Sequence, residues 1–178
     1  LTGGRILEGY SLTEAMMACT VNPALGVKKI GSIGIPLPDV EARIVDPDSG
    51  DKILPAGEVG EILLRAPQLM QGYWQNPEET AGVLQVHGEG GPWLHTGDLG
   101  YMDEDGYIFI VDRKKDVIKP SGFQVWPREE EEVTSSHPAV LEVGVARVTD
   151  DYQGEAAKAC DASARCAGVG SQSCRVPP

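Results

Sequence analysis

The chain has 178 residues, enough for one domain with a substantial core or for parts of two. Its 15 basic and 27 acidic residues leave a formal charge of −12, which argues against nucleic acid as a partner, because a phosphate backbone is held by a basic face. No apolar run approaches the roughly 18 residues of a spanning helix, and Leu1-Thr2-Gly3-Gly4 lacks the charged start of a signal peptide, so the sequence predicts a cytoplasmic protein without a transmembrane segment.

Taken in chain order, Thr13 to Cys19 is rich in Ala, Met and Glu and predicts one or two helical turns. Val40 to Val45 alternates and predicts a strand closed by the turn-rich Asp46-Pro47-Asp48-Ser49-Gly50, and Val59 to Arg65 predicts a second, more buried strand. Asn76-Pro77-Glu78-Glu79 has the layout of a helix start, with an Asn cap, Pro at the first position and carboxylates at the positive end of the dipole; Gly82 keeps that helix short. Leu99 to Met102 and Tyr107 to Val111 flank Asp103-Glu104-Asp105-Gly106 as a hairpin. Pro127 opens an acidic helix to about Ser136, and Val140 to Val148 predicts a further strand. The change from mostly strands to strand, helix, strand places a domain boundary near Asp112 to Asp116. Cys19 stands alone, and Cys160, Cys166 and Cys174 lack C-x-x-C spacing, so neither a zinc site nor a disulfide scaffold is expected.

Three segments carry chemistry: Gly9-Tyr10-Ser11-Leu12-Thr13-Glu14, Thr96-Gly97-Asp98, and Asp112-Arg113-Lys114-Lys115-Asp116 continuing through Lys119 to Gly122-Phe123-Gln124-Val125. Singly, each has a bland reading as a turn, a helix start or a solvated charged loop. In order, and with Gly34-Ile35-Pro36-Leu37-Pro38, Gly57-Glu58-Val59-Gly60-Glu61-Ile62 and Gly72-Tyr73-Trp74-Gln75-Asn76-Pro77 between them, the set resembles the adenylate-forming (AMP-binding) superfamily of acyl-CoA synthetases from about Gly9 to Glu155.

The resemblance implies a β-rich mixed α/β fold. Residues 1–114 correspond to the C-terminal, β-barrel-like part of the large AMP-binding domain, and 115–159 to the truncated start of a small α+β C-terminal domain. It implies ATP, Mg²⁺ and coenzyme A as small-molecule partners, with a carboxylic acid activated as acyl-adenylate and passed to the thiol. Gly9, Tyr10, Ser11, Thr13, Asp98, Arg113, Lys119, Gly122 and Gln124 match nucleotide or coenzyme A positions, and Thr13, Glu14 and Lys119 match catalytic ones.

The residue types suit these roles. Tyr10 offers adenine a flat face, Thr13 a hydroxyl to phosphate, and Glu14 one oxygen to Mg²⁺. The acceptor-only Asp98 suits a ribose diol, and the planar fork of Arg113 reaches ribose or phosphate. Lys115 matches the hinge about which the small domain swings. Gly122 reads equally as a plain turn glycine or as close passage for the pantetheine arm.

Leu12 and Gly122-Phe123-Gln124-Val125 differ from the pattern of peptide-synthetase adenylation domains and favour the CoA-ligase branch, within which the Asp112 to Pro127 segment looks most like bacterial medium- or long-chain fatty acyl-CoA synthetases, with aryl-CoA (4-coumarate-type) ligases the close competitor. The resemblance also leaves room for peripheral membrane association of the parent. The family's Gly/Ser/Thr-rich phosphate loop and its late Gly-Lys lysine are not among the 178 residues, so the chain is expected to be an inactive fragment, or a non-catalytic remnant. Glu130 and Thr134 stand where the family's helix turns aliphatic residues inward, and residues 160–178 read as a non-native or disordered tail.

Overall fold

The computed structural model describes residues 6–163, with the side chains of 161–163 excepted. They fall into two compact units, divided between Lys114 and Lys115.

The first unit is built on two antiparallel sheets. One holds β1 (Gly9–Ser11), β2 (Ala18–Val21) and β3 (Ile35–Pro36) in the order β1-β2-β3. The second holds β4 (Glu41–Val45), β5 (Gly60–Arg65), β6 (Leu84–Val86), β7 (Pro92–Met102) and β8 (Ile108–Arg113). Its order is β4-β5-β7-β6, with β8 pairing β7.

The helix expected over Thr13 to Cys19 shrinks to a single 3-10 turn, Thr13–Ala15, and Cys19 lies in β2. Local composition loses here to long-range pairing. Thr20 pairs with both Tyr10 and Pro36, and Ala15 and Cys19 are both fully buried in the main core.

Both faces of β5 are covered, as its near-continuous apolar run predicts. Ile62 and Leu64 join Ala15, Cys19, Val40, Ile44 and Ile108 on one side, while Leu63 packs with Val45 and Trp93 on the other. Each fully buried aliphatic of this kind contributes roughly 1.5–3 kcal/mol relative to exposure. Alternation along the strand puts Glu61 on the face of Leu63, and Glu61 is only 2 % exposed.

The expected helix start is present. α1 (Pro77–Val83) is capped by the Asn76 side chain, which accepts from the Glu79 amide at 3.2 Å, and the helix buries none of its residues. The hairpin tip between β7 and β8 is closed by Asp103, whose Oδ1 accepts from the amides of Asp105 and Tyr107. Strand β7 is much longer than Leu99 to Met102. Its first half pairs β5 and β6, and the Thr-Gly-Asp segment, which reads locally as a turn, lies inside it.

In the second unit an isolated antiparallel bridge joins Ile118 to Val125 and closes a loop containing the 3-10 turn Pro120–Gly122. Then come α2 (Pro127–Ser135), β9 (Val140–Asp150) and β10 (Gly154–Ser163), the last two forming an antiparallel hairpin. With Glu130 and Thr134 in place of aliphatic side chains, α2 buries only Pro127, and Val133 is 67 % exposed. Cys160, expected to start the tail, instead pairs with Gly144 within β10, because backbone pairing needs no particular side chain. The rest of the proposed tail, from 164 on, lies outside the described residues.

Candidate functional site

The Thr96-Gly97-Asp98 segment is a bulge. Between the pairs Glu61–Leu99 and Leu63–His95, β7 places Thr96, Gly97 and Asp98 opposite the single residue Ile62. Gly97 takes φ +72°, a left-handed conformation that glycine adopts without steric cost. The Thr96 hydroxyl donates to the Ile62 carbonyl at 2.7 Å and accepts from the Asp98 amide at 3.1 Å, which closes the bulge on itself. A bulge bends the strand and redirects a side chain, and the side chain redirected here belongs to Asp98.

Asp98 is buried, with its side chain 10 % exposed, and its carboxylate gathers two donors from other strands. The Tyr10 hydroxyl, from β1, donates to Oδ2 at 2.5 Å. The Arg113 Nε, on the residue opposite Asp98 in the β7–β8 ladder, lies 3.4 Å from Oδ1. Burial first, and then the hydrogen bond to this carboxylate, push the Tyr10 phenol far above its ordinary range, so Tyr10 stays neutral and acts as a donor. The Arg113 side chain is mostly exposed, with its fork available at the surface.

Thr13 and Glu14 lie in the 3-10 turn after β1, with Thr13 exposed and Glu14 half-buried. Glu14 is fixed twice: its carbonyl accepts from the Met70 amide at 2.7 Å, and its Oε1 accepts from the Tyr73 hydroxyl at 2.7 Å. The Glu14 hydrogen bond, with burial second, pushes Tyr73 up to about 12. Gly9 sits in tight pairing against β2, where an added Cβ would meet the Thr20 carbonyl oxygen at 3.0 Å; Ser11 is exposed at the end of β1.

The remaining expected residues lie in the second unit. Lys115 is its first residue and is exposed, and Lys119, Gly122 and Gln124 sit on the exposed loop closed by the Ile118–Val125 bridge. That loop is tied down by backbone donors: the Lys119 amide to Glu155 Oε2 at 2.9 Å and the Ser121 amide to the Gln153 carbonyl at 2.9 Å. Gly122 has φ +87° with open space around its Cβ position, so the turn conformation alone accounts for glycine there.

Residue-by-residue reading of motifs assigns no role to Tyr73, Glu61 or Lys114. Glu61 accepts from the Gly97 amide at 3.2 Å, Lys114 Nζ at 2.9 Å and His95 Nδ1 at 3.4 Å. Burial works to raise its pKa, but the donors His95 and Lys114 win and hold it below the ordinary carboxylate range. The usable signal is a lone carboxylate inside the apolar strand Gly60-Glu61-Ile62-Leu63-Leu64, since buried glutamates are almost always paired. Cys19 is also buried, and burial raises its thiol pKa, which removes it from the candidate nucleophiles.

A family model described as AMP-binding enzyme matches residues 1–74. The long-chain-fatty-acid–CoA ligase of Bacillus subtilis (strain 168) is 48 % identical over 159 residues, 89 % of this chain and 27 % of that protein. The 4-coumarate–CoA ligase-like 1 protein of Arabidopsis thaliana is 42 % identical over 160 residues, 88 % of this chain and 29 % of its own length. Among solved structures, ATP-bound MatB from Rhodopseudomonas palustris superposes with a TM-score of 0.83 at 37 % identity, covering 95 % of this chain and 32 % of that one. The match to the AMP-binding enzyme family falls on residues 1–74, the likeness to these ligases extends over most of the chain, and the chain spans between a quarter and a third of the length of these relatives.

Proposed function

We propose that the chain is part of an ATP-dependent acid–thiol ligase and carries its adenosine-binding side. The observation that supports this most is the convergence of Tyr10, Asp98 and Arg113 from three strands, with Asp98 held by a bulge. In the proposed reaction a carboxylate oxygen attacks the α-phosphorus of ATP, the bond to the β-phosphate bridge breaks, and pyrophosphate leaves. The sulfur of coenzyme A then attacks the acyl carbon, the thiol proton passes to solvent, and AMP departs from the thioester.

Asp98 accepts from the ribose diol, Tyr10 lends its ring to adenine, and Arg113 and Thr13 donate to ribose or phosphate oxygens. Gly9 and Ser11 allow the β1 edge to approach the nucleotide, and Lys119, Gly122 and Gln124 are the proposed contacts for nucleotide or coenzyme A, with Lys115 as the proposed hinge. Among the described residues no three His, Cys, Asp or Glu side chains form a cage for a metal. A Mg²⁺ held by one protein carboxylate, substrate phosphates and waters fits the lone, fixed Glu14, and it would neutralise charge on the phosphates.

The likeness to long-chain-fatty-acid–CoA ligases favours a fatty acid as the acid substrate, and the 4-coumarate–CoA ligase-like relative keeps an aryl acid as the second reading. No helix of the described residues is long and apolar enough to cross a membrane, and the net acidity suits a small-molecule enzyme in the cytoplasm better than a nucleic-acid binder.

The chain alone is proposed to be inactive, because neither the phosphate-loop lysine nor the late Gly-Lys lysine is among its residues. ATP–pyrophosphate exchange tests both statements, on this chain and on a chain extended to the relatives' length. Exchange is expected only from the long chain and with fatty acids. Exchange by the 178-residue chain overturns the inactivity, and exchange with aryl acids alone overturns the substrate.

A further inference from the structure

Glu61 occupies a position that the reaction chemistry does not use. It is buried on β5 directly beneath the Thr96-Gly97-Asp98 bulge, and its two carboxylate oxygens divide their work. Oε1 accepts from the Gly97 amide at 3.2 Å, the central peptide of the bulge. Oε2 accepts from Lys114 Nζ at 2.9 Å and from His95 Nδ1 at 3.4 Å. The backbone completes a ring, because the Lys114 amide donates to the Gly97 carbonyl at 2.8 Å. One carboxylate thus fixes both the bulge that aims Asp98 and Lys114, which follows Arg113 and ends the first unit. His95 is held in turn on its far side, its Nε2 lying 2.8 Å from Nε2 of His87.

We propose that Glu61 is a positioning residue, clamping the Thr96–Asp98 bulge to the Arg113–Lys114 strand end so that the Asp98 carboxylate and the Arg113 guanidinium are set for a ribose diol. The physical basis is the cost of moving any one partner. A displaced Gly97 or Lys114 leaves a nearly water-free carboxylate short of a donor, so the four groups keep one arrangement. A side chain on a bulge without such support has freedom of the order that spoils a hydrogen bond to a ligand. The clamp rests on the nucleotide reading of Asp98 proposed above.

The test uses the 178-residue chain with Glu61→Gln, which keeps shape and an acceptor for Gly97 but cannot accept from both Lys114 and His95, and with Lys114→Met, which removes one donor at a partly exposed position. Two readouts are taken: hydrogen exchange of the Lys114 and Gly97 amides, and the ratio of affinities for AMP and 2′-deoxy-AMP. Both variants are expected to exchange these amides about tenfold faster and to lose several-fold of the preference for AMP, in line with a charge-assisted hydrogen bond.

Loss of fold stability alone weakens both nucleotides equally and leaves the ratio unchanged, so an unchanged ratio in a folded variant overturns the positioning role. Unchanged amide exchange in both variants overturns the clamp itself. If the unsubstituted chain shows no preference for AMP, the ribose reading of Asp98 fails, and amide exchange still decides whether the clamp exists.

Discussion

The two units solve the problem of holding functional side chains in different ways. In the first, the candidate residues stand on strands of a two-sided core or in the turn after β1, and they are tied by side-chain contacts: Tyr10 and Arg113 to Asp98, Tyr73 to Glu14, and Lys114 to Glu61. In the second, Lys119, Gly122 and Gln124 stand on an exposed loop held mainly by backbone amides donating to Glu155 and Gln153, and the neighbouring helix buries only Pro127. Strand-borne groups locked by neighbours suit recognition of a rigid ligand part such as a ribose, and a lightly held loop suits contacts that must be made and broken. The holding of the first site by burial and of the second by one bridge and backbone amides is therefore the contrast worth breaking.

The largest effect is expected from Ile62→Ala. Ile62 is fully buried between the two sheets, and its truncation leaves a cavity costing about 2–5 kcal/mol, read as a shift in urea unfolding. A shift below about 1 kcal/mol would mean that the first core is looser than its burial indicates.

Next comes Asp98→Ala, which removes the acceptor that unites Tyr10 and Arg113. A tenfold or greater loss of AMP affinity, about 1.5–3 kcal/mol, is expected by calorimetry. Unaltered affinity would remove Asp98 from the nucleotide site.

The third effect is a pH dependence. Glu61 has its folded pKa held below the ordinary range, so its contribution to stability is fully present above the unfolded value and is lost as pH falls through the lowered folded value. The stability gap between the parent chain and its Glu61→Gln variant should therefore shrink on acidification through that window. A gap that widens there would mean that folding raises the Glu61 pKa instead of lowering it.

The smallest effect belongs to the second unit. Val133→Ala is expected to change stability by no more than about 0.5 kcal/mol, because the residue is mostly exposed. A cost of several times that would show that the face of α2 is covered in solution.

Much of the fold is legible in the residues. The Asn76 cap, the Asp103 turn, the alternation over Val40 to Val45 and the apolar run of β5 each encode their element locally; the two strands β4 and β5 appear with bounds within a residue of those expected. The helix expected at Thr13 to Cys19 fails for the opposite reason, since Ala18–Val21 is recruited by partners far along the chain. Motif order places Tyr10, Asp98 and Arg113 on a candidate list, but their meeting depends on three strands and a bulge that short patterns do not encode.

By itself, then, the sequence determined the element types where capping, turn chemistry and hydrophobic period are local, together with the family that the ordered motifs share. Only the tertiary structure decided that Thr96-Gly97-Asp98 is a bulge inside a long strand instead of a turn, and that Glu61 lies beneath it with three donors. The reason is physical: a bulge is defined by the partner strand's register, and a buried carboxylate by what surrounds it, and both are properties of contacts across the chain.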